Sequence, residues 1–154
     1  MWFEKCDTCF ILLDSRIIGD EMKKNFEHLL FDYKVDIAFW SHVHSYHRTC
    51  KVYNKQCRED GVMHIVIGTA GKQTTSYRFC DDPWFVSKNQ AYGIGRVSVA
   101  NATHMNFQFV RNFDRAVFDS VWLVKWSVYF VFFAWYYKNC NLFVIYWKSQ
   151  FIII

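Results

Sequence analysis

The amino-acid sequence predicts an α/β protein in which one helix flanks a β-sheet and the chain then closes with antiparallel strands. Three observations lead to this prediction: a helical period of apolar residues at 20–33, apolar runs of strand length at 35–40 and 62–67, and apolar–polar alternation at 105–110. The length of 154 residues is that of about one domain.

The composition excludes several classes of protein. Hydrophobic residues make up 53% and charged residues 21% of the chain, which rules out a disordered or low-complexity protein. Lys and Arg number 18 against 14 Asp and Glu, for a net charge of +4, and the charges are scattered without a run of one sign. We therefore expect no nucleic-acid partner.

The first predicted element is a helix that begins near Asp20, which can serve as its N-cap. One apolar face follows the 3.6-residue period and comprises Met22, Phe26, Leu29, Leu30 and Tyr33. The apolar run at 35–40 (VDIAFW) follows directly as a strand, so the two elements form an αβ unit.

A polar, His-rich loop is predicted at 41–48, at the C-terminal end of this strand, where ligand groups gather in α/β sheets. His42 and His44 are two residues apart, which on an extended chain places them on the same side at roughly 6–7 Å. This spacing suits two ligands that flank a pair of metal ions about 3.5–4 Å apart. A polar loop with ordinary surface histidines remains the alternative.

Further strands follow the loop. The run at 62–67 (VMHIVI) reads as a buried strand that ends at Gly68, and His64 within it is expected to be a hydrogen-bonded core histidine. Residues 72–90 are predicted as a long loop because their composition is polar and rich in turn residues. The remaining strands form a β-meander with turns at 101–103 and 111–115, and they cover residues 95–100, 105–110 and 117–124.

The tail at 126–154 differs from the rest of the chain because it holds twelve aromatic residues and only two charged ones, Lys138 and Lys148. Its apolar runs fall short of the about 20 residues that a membrane-spanning helix needs. A hydrophobic interaction segment, contact with a membrane, and read-through beyond the natural domain end stay open as interpretations.

Two short patterns bear on the compartment. Cys50 and Cys57 bracket a short polar segment and form a candidate disulfide, and Asn101-Ala102-Thr103 is a glycosylation sequon. Together they favour an oxidising compartment. No signal peptide is recognisable at the start, so we expect a chain that lacks its natural N-terminus.

Several segments resemble, in order, the purple acid phosphatases of the calcineurin-like metallophosphoesterases. SHVHSYHRTCKVYNKQC (41–57) resembles the family signature GHVHxYERTCPVYxxxC, and VMHIVIGTAG (62–71) resembles VHIVIGxAG. Residues 26–40 and the closing strands resemble the family as well. The resemblance implies the C-terminal half of a metallophosphoesterase β-sandwich, with residues 1–60 from the catalytic domain, 61–125 as the C-terminal region, and 126–154 as an added hydrophobic tail.

The resemblance also implies a function. Family members are secreted glycoproteins that hydrolyse phosphate monoesters at a dinuclear centre of Fe(III) and a divalent Zn, Mn or Fe ion, through a metal-bound hydroxide. His42 matches the ligand of the divalent metal and His44 the ligand of the ferric ion. Tyr46, His47 and Arg48 are expected to shape the loop or support a ligand.

The departures from the family pattern are equally informative. Ser41 replaces a glycine and His47 replaces a glutamate of the signature, and the other ligand motifs of the family are absent. We therefore expect a fragment with an incomplete ligand set, weak metal binding and no phosphatase activity of its own. A half-sheet would also expose an unpaired edge that self-association or the missing N-terminal half would cover. The alternative is a non-catalytic interaction or membrane-associated remnant.

Overall fold

The computed structural model describes residues 26–41, 43–69, 71, 73–74 and 83–124 in full, together with the backbone of 131–136, 139–144 and 151–153. The predicted helix cap Asp20 and the predicted ligand His42 lie outside the described residues. In chain order the elements are α1 (His28–Asp32), β1 (Ile37–Trp40), β2 (Tyr46–Tyr53), β3 (Gln56–Cys57), β4 (Val62–Ile67), β5 (Phe85–Asn89), β6 (Gly93–Asn101), β7 (His104–Arg111), β8 (Val117–Val124), β9 (Val131–Tyr136), β10 (Asn139–Val144) and β11 (Phe151–Ile153).

The described strands form two sheets. Sheet A has seven strands in the order β10-β9-β1-β4-β2-β3, with β5 paired to β2, and sheet B has the order β11-β6-β7-β8. The main core lies between them, where Tyr46 and the strands of sheet A pack against Phe107 and Phe109 of sheet B. Two packed sheets, one flanking helix and closing antiparallel strands confirm the predicted fold class.

The described part of the predicted helix is short. Helix α1 ends at Asp32, and Lys34 turns the chain with a φ of 54°. Leu30 is buried and packs on the outer face of sheet A, but Leu29 is 41% and Tyr33 67% exposed. The predicted apolar face is therefore only partly covered by the sheet, and Tyr33 follows the last residue of the helix.

Strands β1 and β4 confirm the two apolar runs. They pair in parallel, with Ile37 opposite Met63, and all four residues of β1 are buried. The inward face of β1 joins the main core, while Ala38 and Trp40 point to the helix side. Burial on both faces explains why β1 reads as a continuous apolar run instead of an alternating one.

One predicted loop contains a strand. Strand β5 lies within residues 72–90 and pairs with β2 in antiparallel, with His47 opposite Lys88. Its sequence FVSKN shows no apolar alternation, so the prediction of a loop throughout was wrong. Pairing with β2 stabilises the strand conformation of this segment, which its own sequence does not predict.

The predicted meander is confirmed. Strands β6, β7 and β8 pair in antiparallel through turns at 102–103 and 112–114. Inward residues Val97, Met105, Phe107, Phe109 and Leu123 are buried, in keeping with the alternation of the sequence.

The tail adds strands to both sheets. Strand β9 pairs in parallel with β1, β10 pairs with β9, and β11 pairs with β6. The edge of β1 that we expected to be open is therefore paired. Within the described residues, no helix is both long and apolar enough to cross a membrane.

Candidate metal-binding loop

The loop between β1 and β2 carries His44, whose ring is fixed by the backbone of a distant segment. The Nδ1 atom of His44 lies 2.8 Å from the carbonyl oxygen of Gln73. Because a carbonyl oxygen only accepts, Nδ1 carries the proton, and in the neutral ring the lone pair resides on Nε2. Histidine ligands of metals are commonly oriented by this kind of hydrogen bond.

The loop packs closely against the end of β4. The amide of Ser45 donates to the carbonyl of Val43 at 2.8 Å, and the amide of Gly68 donates to the carbonyl of Ser45 at 3.4 Å. A Cβ atom built on Gly68 would lie 2.2 Å from the carbonyl oxygen of Val43. Only glycine fits here, since the obstacle is backbone on the residue that precedes His44.

We expect Gly68→Ala to push Val43 away and to disturb the hydrogen bond between His44 and Gln73, at a stability cost of about 1–3 kcal/mol. The ring resonances of His44 in NMR spectra and urea unfolding measure the two effects. Gly71→Ala is the matched control: its φ of 103° costs about 1 kcal/mol, but an added Cβ meets nothing within 4 Å. Unchanged His44 resonances in Gly68→Ala would contradict the proposed contact.

The loop was predicted to extend to Arg48, and this prediction was wrong. Strand β2 begins at Tyr46, so Tyr46, His47 and Arg48 are buried strand residues. The ring of Tyr46 stacks on Phe109, with 4.1 Å between centroids, which draws this polar stretch into the core. These three residues therefore lie in the sandwich, directly after the loop.

Tyr46 and Arg48 converge on Asp119 of β8. The Tyr46 hydroxyl donates to Asp119 Oδ2 at 2.6 Å, while Arg48 Nε and Nη2 donate to Oδ2 and Oδ1 at 2.6 and 2.8 Å. The Arg48 and Asp119 side chains are only 11% and 10% exposed. This cluster ties sheet A, immediately after the histidine loop, to sheet B.

Each member of the cluster keeps a fixed charge state. Burial and the neighbouring Asp119 raise the pKa of the Tyr46 hydroxyl, so it stays protonated. Burial alone would raise the pKa of Asp119, but the hydrogen bonds from Arg48 and Tyr46 outweigh it and lower that pKa. Burial alone would lower the pKa of Arg48, but the hydrogen bond to Asp119 and its negative charge outweigh this effect and raise that pKa. The Arg48–Asp119 pair therefore remains ionic.

His47 is a buried, neutral base. Its Nε2 lies 3.0 Å from the Ser45 hydroxyl oxygen, and its ring meets Phe85 edge-on. Burial and the charge of Lys88 lower the pKa of His47 to about 4. The position therefore carries no negative charge, unlike the glutamate of the family signature.

His64 has the structural role that the sequence predicted. It is buried in β4, and the indole Nε1 of Trp40 donates to its Nδ1 at 3.0 Å. Burial lowers the pKa of His64 to about 4.

The donor set described in the structure does not fit a dinuclear centre. Among the residues described with side chains, no group of three or more His, Cys, Asp or Glu could hold a metal ion. A transition-metal site normally needs three or four protein ligands for each ion. His44 has a ring oriented by the Gln73 carbonyl, but the described loop does not bring a group of metal ligands together.

The two compartment-related patterns lie at the surface. Cys50 and Cys57 form a disulfide between β2 and β3, next to a turn in which Asn54 and Lys55 have positive φ. Asn101 is exposed in the β6–β7 turn, where its Oδ1 accepts from the amide and hydroxyl of Thr103 at 2.9 Å each.

Comparison with protein families locates this sequence. Residues 61–120 match the family described as iron/zinc purple acid phosphatase-like protein C. Purple acid phosphatase 18 of Arabidopsis thaliana is 38% identical over 68% of this chain and 25% of its own length. Human acid phosphatase type 7 is 34% identical over 64% and 26%, and probable inactive purple acid phosphatase 27 of Arabidopsis thaliana is 31% identical over 64% and 18%.

Solved structures agree with these relatives. A purple acid phosphatase from yellow lupin (Lupinus luteus) seeds superposes with a TM-score of 0.61 and 27% identity, over 64% of this chain and 19% of that one. The anchor protein of the inner membrane complex of Plasmodium shares the fold at 16% identity and a TM-score of 0.57. The chain spans less than a third of the length of these curated relatives. It belongs to the purple acid phosphatase family, of which it carries a C-terminal portion.

Proposed function

We propose that this chain provides the C-terminal part of an acid phosphatase site for phosphate monoesters. In this proposal His42 and His44 are ligands of a divalent Zn, Mn or Fe ion and of a ferric ion, respectively. The observation that carries the proposal is the hydrogen bond from His44 Nδ1 to the Gln73 carbonyl, which orients the ring and places the lone pair of the neutral ring on Nε2. Family membership supports the substrate class.

The proposed site is incomplete within the described residues. Since the described loop lacks a third ligand, further ligands must come from outside it. Tyr46 and Arg48 have a positioning role, because they anchor the start of β2 to Asp119. His47 holds Ser45 on the other side of the strand.

Metal binding and hydrolysis test the proposal together. We expect the purified chain to bind Zn²⁺ weakly, with less than one ion per chain by elemental analysis, and to hydrolyse no p-nitrophenyl phosphate at mildly acidic pH. The double variant His42→Ala with His44→Ala should lose the Zn²⁺ binding that isothermal titration calorimetry detects. His104→Ala, which alters a histidine at the start of β7, is the control and should retain it.

The outcomes separate two functions. If the double variant still binds Zn²⁺, the loop with His42 and His44 is not the binding site. Hydrolysis by the unmodified chain that the double variant lacks would show that the site is complete. Absence of both binding and hydrolysis would favour the second candidate, a non-catalytic interaction or membrane-associated protein, which the replacement of glutamate by His47 also supports.

We also assign the chain to the secretory pathway, with N-glycosylation at Asn101. The Cys50–Cys57 disulfide and the exposed sequon turn support this assignment. Protein from a secretory host should lose glycan mass on enzymatic deglycosylation, and Asn101→Gln should lack that mass; identical masses would contradict the assignment.

A further inference from the structure

The second edge of β1 is a site for strand pairing. One edge of β1 pairs in parallel with β4, and all four β1 residues are buried. Strands buried on both faces occur inside parallel sheets and seldom at their edges. An unpaired second edge would leave buried backbone N–H and C=O groups without partners, at a substantial cost in free energy.

In this structure the tail occupies that edge. Ile37, Ala38 and Phe39 of β1 lie opposite Phe132, Phe133 and Ala134 of β9, and β10 extends the sheet by pairing in antiparallel with β9. The last strand, β11, pairs with β6 of sheet B. The tail therefore extends both sheets of the sandwich.

The sequence of the tail suits this role. Strands β9 and β10 read VFFAWY and NCNLFV, which are rich in aromatic and β-branched residues and contain no charge. Lys138 falls between these two strands in the sequence, and Lys148 falls between β10 and β11. Asn139 and Asn141 lie on β10, the last strand of sheet A, where polar residues discourage further pairing.

The family match does not account for this segment, because it ends at residue 120. We propose that β9 and β10 (131–136 and 139–144) form an edge cap: two strands of the chain itself that fill the position beside β1, which a parallel strand from another segment or another chain would otherwise take. One edge accepts one strand, so the edge cap and any other parallel strand exclude each other. The β1 edge is then an interaction surface for an extended segment that runs parallel to it. This inference concerns strand pairing and holds whether or not the loop binds metal.

Amide hydrogen exchange in the full chain tests the edge cap with two reciprocal variants. Phe133→Pro lies opposite Ala38 and removes a backbone donor from β9, so the amides of β1 should exchange at least about tenfold faster, while those of β6 at 95–97 stay protected. The second variant is a truncation after Val144, which removes β11 together with residues 145–150 and 154. It should show the reverse: faster exchange at 95–97 and unchanged exchange in β1.

Unchanged β1 exchange in a folded Phe133→Pro chain would overturn the proposal. If that variant does not fold, the unmodified chain decides: NOE contacts between residues 37–39 and 132–134 are expected in isotope-labelled protein. Their absence in a folded chain would overturn the edge cap as well.

Discussion

Asp119→Ala is expected to destabilise the fold by about 3–5 kcal/mol, the cost of removing one partner from a buried ion pair. Arg48 would keep its charge while only 11% exposed, and the Tyr46 hydroxyl would lose the carboxylate to which it donates at 2.6 Å. Urea unfolding, followed by circular dichroism, measures the loss. Asp119→Asn should lose less, because an amide oxygen still accepts from Tyr46.

The chain contains a matched control for this prediction. Arg58 and Asp60 form the same kind of ion pair at 2.7 Å, but their side chains are 43% and 52% exposed. Water and salt screen such a pair, so Asp60→Ala should leave the unfolding midpoint nearly unchanged. Equal losses in Asp119→Ala and Asp60→Ala would show that burial of the Arg48 pair adds nothing.

The ion pair also bears on the candidate site. Tyr46 follows the loop of His44 directly, and Asp119 is the residue that fixes both Tyr46 and Arg48. Loss of Asp119 should therefore broaden or shift the His44 ring resonances. Asp60→Ala should leave them in place.

Local patterns predicted those parts of the fold whose burial follows from their own sequence. The apolar runs at β1 and β4 and the alternation in β7 were sufficient to predict these strands, because in each strand most of the buried residues are apolar. Strand β5 could not be predicted this way, since its strand conformation depends on pairing with β2. The same is true of Tyr46, whose burial depends on Phe109 across the sandwich.

Within the site, the sequence indicated His44 but not the groups that hold it. The Gln73 carbonyl and the Asp119 carboxylate are far along the chain, and a backbone carbonyl has no signature in the sequence. Asp119 did leave one signal: a charged residue at an inward position of an apolar strand requires a buried partner. Gly68 left another, because a glycine that ends a buried strand indicates a close approach of backbone.

The free energy of unfolding is expected to fall steeply as the pH decreases from about 7 to 4. His47 and His64 have an ordinary pKa of 6.5 in the unfolded chain, but burial lowers it to about 4 in the fold. Above pH 6.5 both rings are neutral in either state, so they add no pH dependence. Below it the unfolded chain takes up protons first, which favours unfolding until the folded rings protonate near pH 4.

Each histidine should cost about 3 kcal/mol across this range, at about 1.4 kcal/mol per pKa unit. Urea unfolding at a series of pH values measures the slope, and His47→Gln should remove about half of it, because His64 still titrates. His64→Gln should remove the other half, and the double variant should be nearly flat above the carboxylate range. A slope that His47→Gln leaves unchanged would show that this ring is not the neutral, buried base described here. A glutamate has an ordinary pKa of about 4.3 in an unfolded chain and takes up few protons above about pH 5.5, so His47 makes this fold more sensitive to mild acid than a glutamate at the same position would.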